Sequence, residues 1–70
     1  MGAAERFGRN LYALRQEAGF TQDRLAAEIF MDRATVSRLE RGECFPRLDT
    51  VVRLARVIDV QLRDLLHGIE

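Results

Sequence analysis

The sequence predicts an all-α protein, a compact bundle of five short helices in a single domain. Apolar residues recur three and four positions apart along most of the chain, and glycine or capping residues separate these periodic segments. No segment alternates apolar and polar residues with the period of two that is typical of strands. At 70 residues the chain is long enough for one domain with a small core, so residues 1–70 are assigned to it.

The first predicted helix occupies the N-terminal quarter of the chain. Its apolar positions form one stripe when they are placed on a helix. They are Ala4, Phe7, Leu11, Leu14 and Ala18. Gly19 follows at the point where a left-handed residue commonly ends a helix.

The next two helices are predicted to form a helix-turn-helix unit over residues 21–41. Thr21 is the expected N-cap of a short helix that runs to about Ile29. Asp32 is the expected N-cap of a third helix, which runs to about Arg41 and is followed by glycine. Two helices joined by such a short connection are typical of DNA-binding proteins in which the second helix lies in the major groove.

The remaining sequence predicts a loop over residues 42–47, which contains the only proline, and then two further helices. The fourth helix is indicated by Leu48, Val51, Val52, Leu54, Ala55 and Ile58. The fifth is indicated by Leu62, Leu65, Leu66 and Ile69.

The composition limits the classes of function. The net charge is zero, so any positive surface has to be local. All 11 basic residues are arginine, which suits bidentate recognition of phosphate or guanine, although GC-rich codon usage would produce the same composition. With no apolar run of membrane-spanning length, no signal-like N-terminus and a single cysteine, we expect a cytoplasmic protein.

The third helix carries the clearest functional signal. At about 100° per residue, one arc of its surface collects small and basic residues, while Val36 and Leu39 lie on the opposite side. The residues of this arc are Arg33, Ala34, Ser37, Arg38 and Arg41. Small side chains between arginines would allow close approach to a groove about 12 Å wide. A solvated charged surface is the alternative interpretation of this arc.

The sequence resembles the Cro/cI family of helix-turn-helix regulators, also called the XRE family. The resemblance spans nearly the whole chain and rests on three stretches taken together. They are LRQEAGFTQDRLAAEI from Leu14, DRATVSRLERGECFPRLDTVVRLARVI from Asp32 and VQLRDLL from Val60. It implies a lambda-repressor-like fold and a bacterial or phage-encoded protein that binds double-stranded DNA.

The resemblance also implies roles for individual residues. Family members touch base edges at the positions of Arg33, Ala34 and Arg38, with Ser37 nearby as a further candidate for base contact, and they commonly contact phosphates at those of Gln22, Thr35 and Arg41. Arg47 stands where the family often has a capping serine, which leaves it free to contact a phosphate. Gln22 is further expected to brace the residue at the front of the third helix. Arg15 and Glu40 match a family pair that forms a largely buried salt bridge, and their positions beside the apolar stripes of their helices agree with this.

The sequence departs from the family pattern at the turn between the second and third helices. Phe30 stands where the family usually has a left-handed glycine, so either a steric cost or a different turn is expected. Asp59 replaces another common glycine, but aspartate tolerates left-handed geometry better.

Leftover apolar residues suggest an interface between two copies of the chain. Val57 is predicted to point away from the core side of its helix, and Leu66 with Ile69 extends beyond what five short helices need. These three residues are candidates for a two-fold dimer interface, with a frayed C-terminal segment as the alternative. A dimer would place two third helices about 34 Å apart, as a palindromic site requires.

Two functions follow from these observations. The first is a sequence-specific transcriptional regulator that binds double-stranded DNA as a homodimer. The second is a protein-interaction module, similar to an antitoxin or adaptor, that uses the same fold to hold a partner protein. We expect no enzymatic activity, metal or cofactor, because His67 and Cys44 are single residues without a catalytic or ligand cluster. We also expect no small-molecule ligand and, in the absence of a long apolar run, no membrane contact.

Overall fold

Five α-helices follow one another along the chain in the computed structural model, which describes residues 1–70. They are α1 (Ala3–Ala18), α2 (Gln22–Glu28), α3 (Arg33–Glu40), α4 (Leu48–Ile58) and α5 (Leu62–Leu65). No strand is present, so the predicted all-α class is confirmed. None of the five helices combines the length and the hydrophobicity that a membrane-spanning segment requires.

Local capping interactions determine where the central helices begin. The Thr21 hydroxyl accepts a hydrogen bond from the Arg24 amide at 3.1 Å. The Asp32 carboxylate accepts from the Thr35 amide at 2.9 Å. Each bond satisfies one of the backbone donors that a helix leaves unpaired in its first turn, which explains why both caps were recognisable in the sequence.

The hydrophobic core is shared by all five helices. Its buried residues are Phe7, Leu11, Leu25, Ala26, Ile29, Val36, Leu39, Val51, Leu54, Ala55, Ile58 and Leu65. Met31 packs against this cluster from the turn between α2 and α3, and the ring of Phe45 lies 5.4 Å from that of Phe7. The two loops therefore cover the core, although Phe45 remains partly exposed.

The C-terminal segment differs from its prediction. Helix α5 ends at Leu65, so Leu66 and Ile69 lie outside it. The Asn10 side-chain amide donates 2.8 Å hydrogen bonds to the carbonyl oxygens of Leu65 and His67. Because this side chain of α1 satisfies carbonyl groups that are left free at the end of α5, the segment is fixed against α1 without further helical turns.

The turn between α2 and α3 retains the backbone geometry expected of the family. Phe30 has φ of 59°, in the left-handed region, and its side chain is 90% exposed. Of the two outcomes expected from the sequence, the chain therefore adopts the left-handed turn at a steric cost. Asp59, the C-cap of α4, has the same φ of 59°.

Phe30→Gly is expected to stabilise the fold relative to Phe30→Ala. Both variants remove a ring that contributes nothing to the core, but only glycine adopts positive φ without strain. The difference should be about 0.5 to 1 kcal/mol, since strain relief exceeds the greater entropy of glycine in the unfolded chain. Urea denaturation of both variants measures it, and equal stabilities would contradict the strained turn.

Candidate nucleic-acid interface

Helix α3 is held in place by contacts on its inner side. Val36 and Leu39 are buried in the core, and α3 packs against both α1 and α2. At its C-terminal end α3 approaches α1 closely, because a Cβ atom added to Gly8 would lie 2.5 Å from the carbonyl oxygens of Leu39 and Glu40. Gly8 therefore determines how near the two helices can come, a role that sequence analysis missed.

Arg15 and Glu40 form the ion pair that links α1 to α3. The Arg15 Nε donates to Glu40 at 2.6 Å and its Nη2 donates to the second carboxylate oxygen at 3.0 Å. The two side chains are only 8% and 4% exposed. The hydrogen bonds that Arg15 donates to Glu40 are the main reason that the pKa of Arg15 is raised above its ordinary value, so the guanidinium stays charged.

Gln22 joins this buried pair. Its side-chain amide donates to Glu40 at 2.9 Å, and Arg15 also donates to the Phe20 carbonyl oxygen at 2.8 Å. Gln22 was expected to brace the front of α3, but its observed hydrogen bond reaches Glu40 at the C-terminal end of α3 instead. A single carboxylate connects α1, α2 and α3, which stiffens the support beneath the outer surface of α3.

The outer surface of α3 carries the five residues predicted to form one arc. They are Arg33, Ala34, Ser37, Arg38 and Arg41, and together they line one shallow open depression. We call this set the α3 outer face. Ser37 is half-buried, whereas the other four residues are exposed. The structure thus brings together the predicted base-contacting residues and Arg41.

The first turn of α3 is organised by Thr35. Its hydroxyl donates to the Asp32 carboxylate at 2.5 Å, and Arg38 approaches the same hydroxyl at 3.5 Å. The hydrogen bonds from Thr35 hold the pKa of Asp32 below its ordinary value. The cap therefore contributes its full stability at pH values above the usual pKa of aspartate. This contribution is lost as the pH falls through the lowered pKa that Asp32 has in the folded protein.

Carboxylates stand beside three of the predicted DNA-contacting arginines. Arg41 pairs with Glu43 at 2.7 Å, Arg33 lies 3.9 Å from Asp23, and Arg47 lies 3.4 Å from Asp49. The arc of small and basic residues predicted for the third helix contains no acidic residue of its own, but acidic side chains from elsewhere in the chain stand beside it. The carboxylates come from α2, from the loop after α3 and from α4, so they were not visible on the helical projection of α3.

The three dimer candidates are placed differently from the prediction. Val57, Leu66 and Ile69 are each half-buried and pack against the core. Val57 was expected to point away from the core, and this is wrong because it packs against the core. The larger exposed apolar side chains on this part of the chain are Leu48 and Leu62, in the first turns of α4 and α5.

A family model described as a helix-turn-helix domain matches residues 6–67, which is most of the chain. The chain belongs to this helix-turn-helix family. The match includes α2, α3 and the arginines of the α3 outer face. The XRE-like helix-turn-helix predicted from the sequence is thereby confirmed, and the fold is that of DNA-binding regulators.

A curated relative and several solved structures support the same conclusion. The HTH-type transcriptional activator BcrR of Enterococcus faecalis is 28% identical over 64 residues, which cover 91% of this chain. The chain spans only 31% of that relative's length. The restriction-modification controller protein C.AhdI of Aeromonas hydrophila is 34% identical with a TM-score of 0.84, and the match covers 89% of this chain and 90% of that one.

Two further structures share this helix-turn-helix fold. The hypothetical transcription factor NHTF from Neisseria is 26% identical with a TM-score of 0.84, over 91% of this chain and 74% of that one. The clp gene regulator ClgR from C. glutamicum has a TM-score of 0.87 at 23% identity, over 91% of this chain and 82% of that one, which is a likeness of fold alone.

Proposed function

We propose that the protein is a sequence-specific transcriptional regulator that inserts α3 into the major groove of double-stranded DNA. The observation that carries this proposal is the α3 outer face, where exposed arginines flank two small residues over one open depression. A helix presented in this way fits the width of the major groove. The protein acts in the cytoplasm by occupying DNA, without a catalytic step or a cofactor.

The residues of the interface divide into two groups. Arg33 and Arg38 each offer a guanidinium for the N7 and O6 atoms of guanine, while Ala34 and Ser37 allow the helix to approach the bases. Positions that set the register on the phosphates are Gln22, Thr35, Arg41 and Arg47. This second group lies on α2, α3 and the start of α4, which would let it contact the backbone on both sides of the groove.

We further propose that two copies bind a palindromic DNA site. The support is the apolar surface left on α4 and α5, where Leu48 is 70% and Leu62 is 40% exposed, together with the partial exposure of Val57, Leu66 and Ile69. A two-fold pair of chains would cover the same surface on both partners. Sedimentation of the protein with a bound duplex tests this, and one chain per palindromic duplex would contradict it.

Arg38→Ala is expected to weaken binding to a selected duplex by about fivefold to 150-fold, because a bidentate contact to guanine contributes about 1 to 3 kcal/mol. Binding sequences are first enriched from a random duplex pool with the unmodified protein. Affinities of both proteins for the enriched duplex are then measured by fluorescence anisotropy. The variant should also discriminate less well at one base pair of the site, which the same selection shows.

Arg9→Ala serves as the matched control, because Arg9 is an exposed arginine on α1 without an ion-pair partner within 4 Å. It should lose far less affinity than Arg38→Ala. Failure to enrich any duplex, or equal losses in the two variants, would contradict sequence recognition by α3.

A protein-interaction module is the second candidate, and one observation favours it. Phe30 exposes 90% of its surface at the turn between α2 and α3, where an aromatic ring could pack against a partner protein. Under this hypothesis no duplex would be enriched, and Phe30 rather than Arg38 would be required for binding to the partner.

A further inference from the structure

The arginines proposed to contact DNA are mostly paired within the free protein. Arg41, Arg33 and Arg47 each have a carboxylate within 4 Å, and Arg38 is the member of this set without one. The partners are Glu43, Asp23 and Asp49. They offset much of the positive charge that the interface would otherwise present to DNA.

The pair between Arg41 and Glu43 has the clearest geometry. Arg41 donates from Nε to the Glu43 carboxylate at 2.7 Å and from Nη1 to the Ser37 hydroxyl at 3.0 Å. Both side chains of the ion pair remain about half exposed, at 59% and 49%. An exposed pair of this kind contributes little to stability, so its partners can be exchanged readily for others.

We propose that Glu43 competes with DNA phosphates for Arg41 and so lowers the affinity of the protein for DNA. This inference rests on the proposed binding of DNA by α3. On an arbitrary duplex, phosphate contacts supply essentially all of the binding free energy, so a competing carboxylate weakens this binding directly. On the correct site Arg41 contacts a phosphate in the same way, so the carboxylate subtracts a similar free energy there, and base contacts by Arg33 and Arg38 set the preference between the two duplexes.

The competition also affects the salt dependence of binding. An arginine that binds a phosphate releases a cation from the DNA. When Arg41 leaves Glu43, however, the freed carboxylate attracts a cation from solution, which offsets part of that release. The protein therefore shows a shallower salt dependence than its number of phosphate contacts would give, and lower affinity for non-specific DNA.

Glu43 is the best position at which to test this competition. Asp49 also accepts a hydrogen bond from the Thr50 amide in the first turn of α4, so its replacement would disturb the fold. Asp23 stands in the first turn of α2 and lies further from its arginine. Glu43 lies in the loop after α3, and its side chain has no hydrogen-bond partner other than Arg41.

The experiment compares Glu43→Gln with the unmodified protein on a random-sequence duplex and on the enriched duplex. Glu43→Gln should bind the random duplex about 1.5-fold to fivefold more tightly, as expected when a pair of this strength no longer competes. Its affinity for the enriched duplex should rise by a similar factor, because Arg41 contacts a phosphate in both complexes. The slope of log affinity against log salt should steepen by up to about 0.9 on the random duplex.

Glu17→Gln is the control, because it removes the same charge from an exposed carboxylate of α1 that forms no ion pair. It should leave both affinities and the salt slope nearly unchanged. Equal effects of the two variants would show that net charge alone determines the affinity, which overturns the proposal. Weaker binding of Glu43→Gln to both duplexes would show instead that Glu43 positions Arg41, which also overturns it. Unchanged binding by Glu43→Gln overturns this inference alone, whereas an unmodified protein that binds neither duplex would refute the proposed function too.

Discussion

Glu40→Ala is expected to destabilise the fold by about 3 to 5 kcal/mol, because it leaves the buried Arg15 guanidinium without its counter-ion. The same change removes the acceptor of the Gln22 amide. A small domain has a free energy of unfolding of only about 5 to 15 kcal/mol, so the variant should unfold at much lower urea concentration. Denaturation followed by far-ultraviolet circular dichroism measures the difference.

The double variant Arg15→Met/Glu40→Leu is the control for this prediction. It removes both charges together, so no unpaired buried ion remains, and it should be more stable than Glu40→Ala. If Glu40→Ala instead cost less than about 1 kcal/mol, the pair would behave as a solvated surface pair. In that case the contact between α1 and α3 would depend on packing alone.

Gly8→Ala is expected to destabilise the protein by about 1 to 3 kcal/mol, as overpacking of a close contact does. The added methyl group would lie 2.5 Å from two backbone carbonyl oxygens of α3, and backbone atoms move only if the helices separate. Helix propensity alone predicts the opposite sign, since alanine is favoured over glycine within a helix by about 1 kcal/mol. The sign of the change therefore distinguishes the two effects.

Ala13→Gly provides the reference for intrinsic helix propensity, because Ala13 is exposed on the same helix. It should destabilise α1 by about 1 kcal/mol. Urea denaturation of both variants gives the comparison. A Gly8→Ala protein that is more stable than the unmodified chain would show that α1 and α3 do not approach as closely as described.

Sequence reasoning succeeded where the determinants are local. Thr21 and Asp32 were recognisable as caps because each bonds an amide three residues further along the chain. The division of α3 into an inner and an outer side likewise follows from helical periodicity alone. The end of α5 was not predicted, because it depends on Asn10, a side chain of a helix distant in sequence.

The candidate site was predictable only in part for the same reason. The α3 outer face lies on one helix, whereas the carboxylate partners of its arginines lie on other elements. Gly8 left a signal, a glycine inside an otherwise regular helical pattern, but its partner on α3 is visible only in three dimensions. Val57 was misplaced because helical projection of α4 does not show which neighbouring segments cover its flank.

The separation of the two sides of α3 has a consequence for how binding preferences can diverge. The contacts that hold α3 in place, such as those of Gly8 on α1 and of Glu40, are on its inner side. The α3 outer face makes little contribution to the core. Exchanges at Arg33, Ala34 or Arg38 should therefore leave the fold intact, since exposed positions away from caps and cores tolerate substitution. The side chains proposed to contact DNA can therefore be replaced without loss of the fold. Related chains can acquire different DNA targets without first acquiring extra stability.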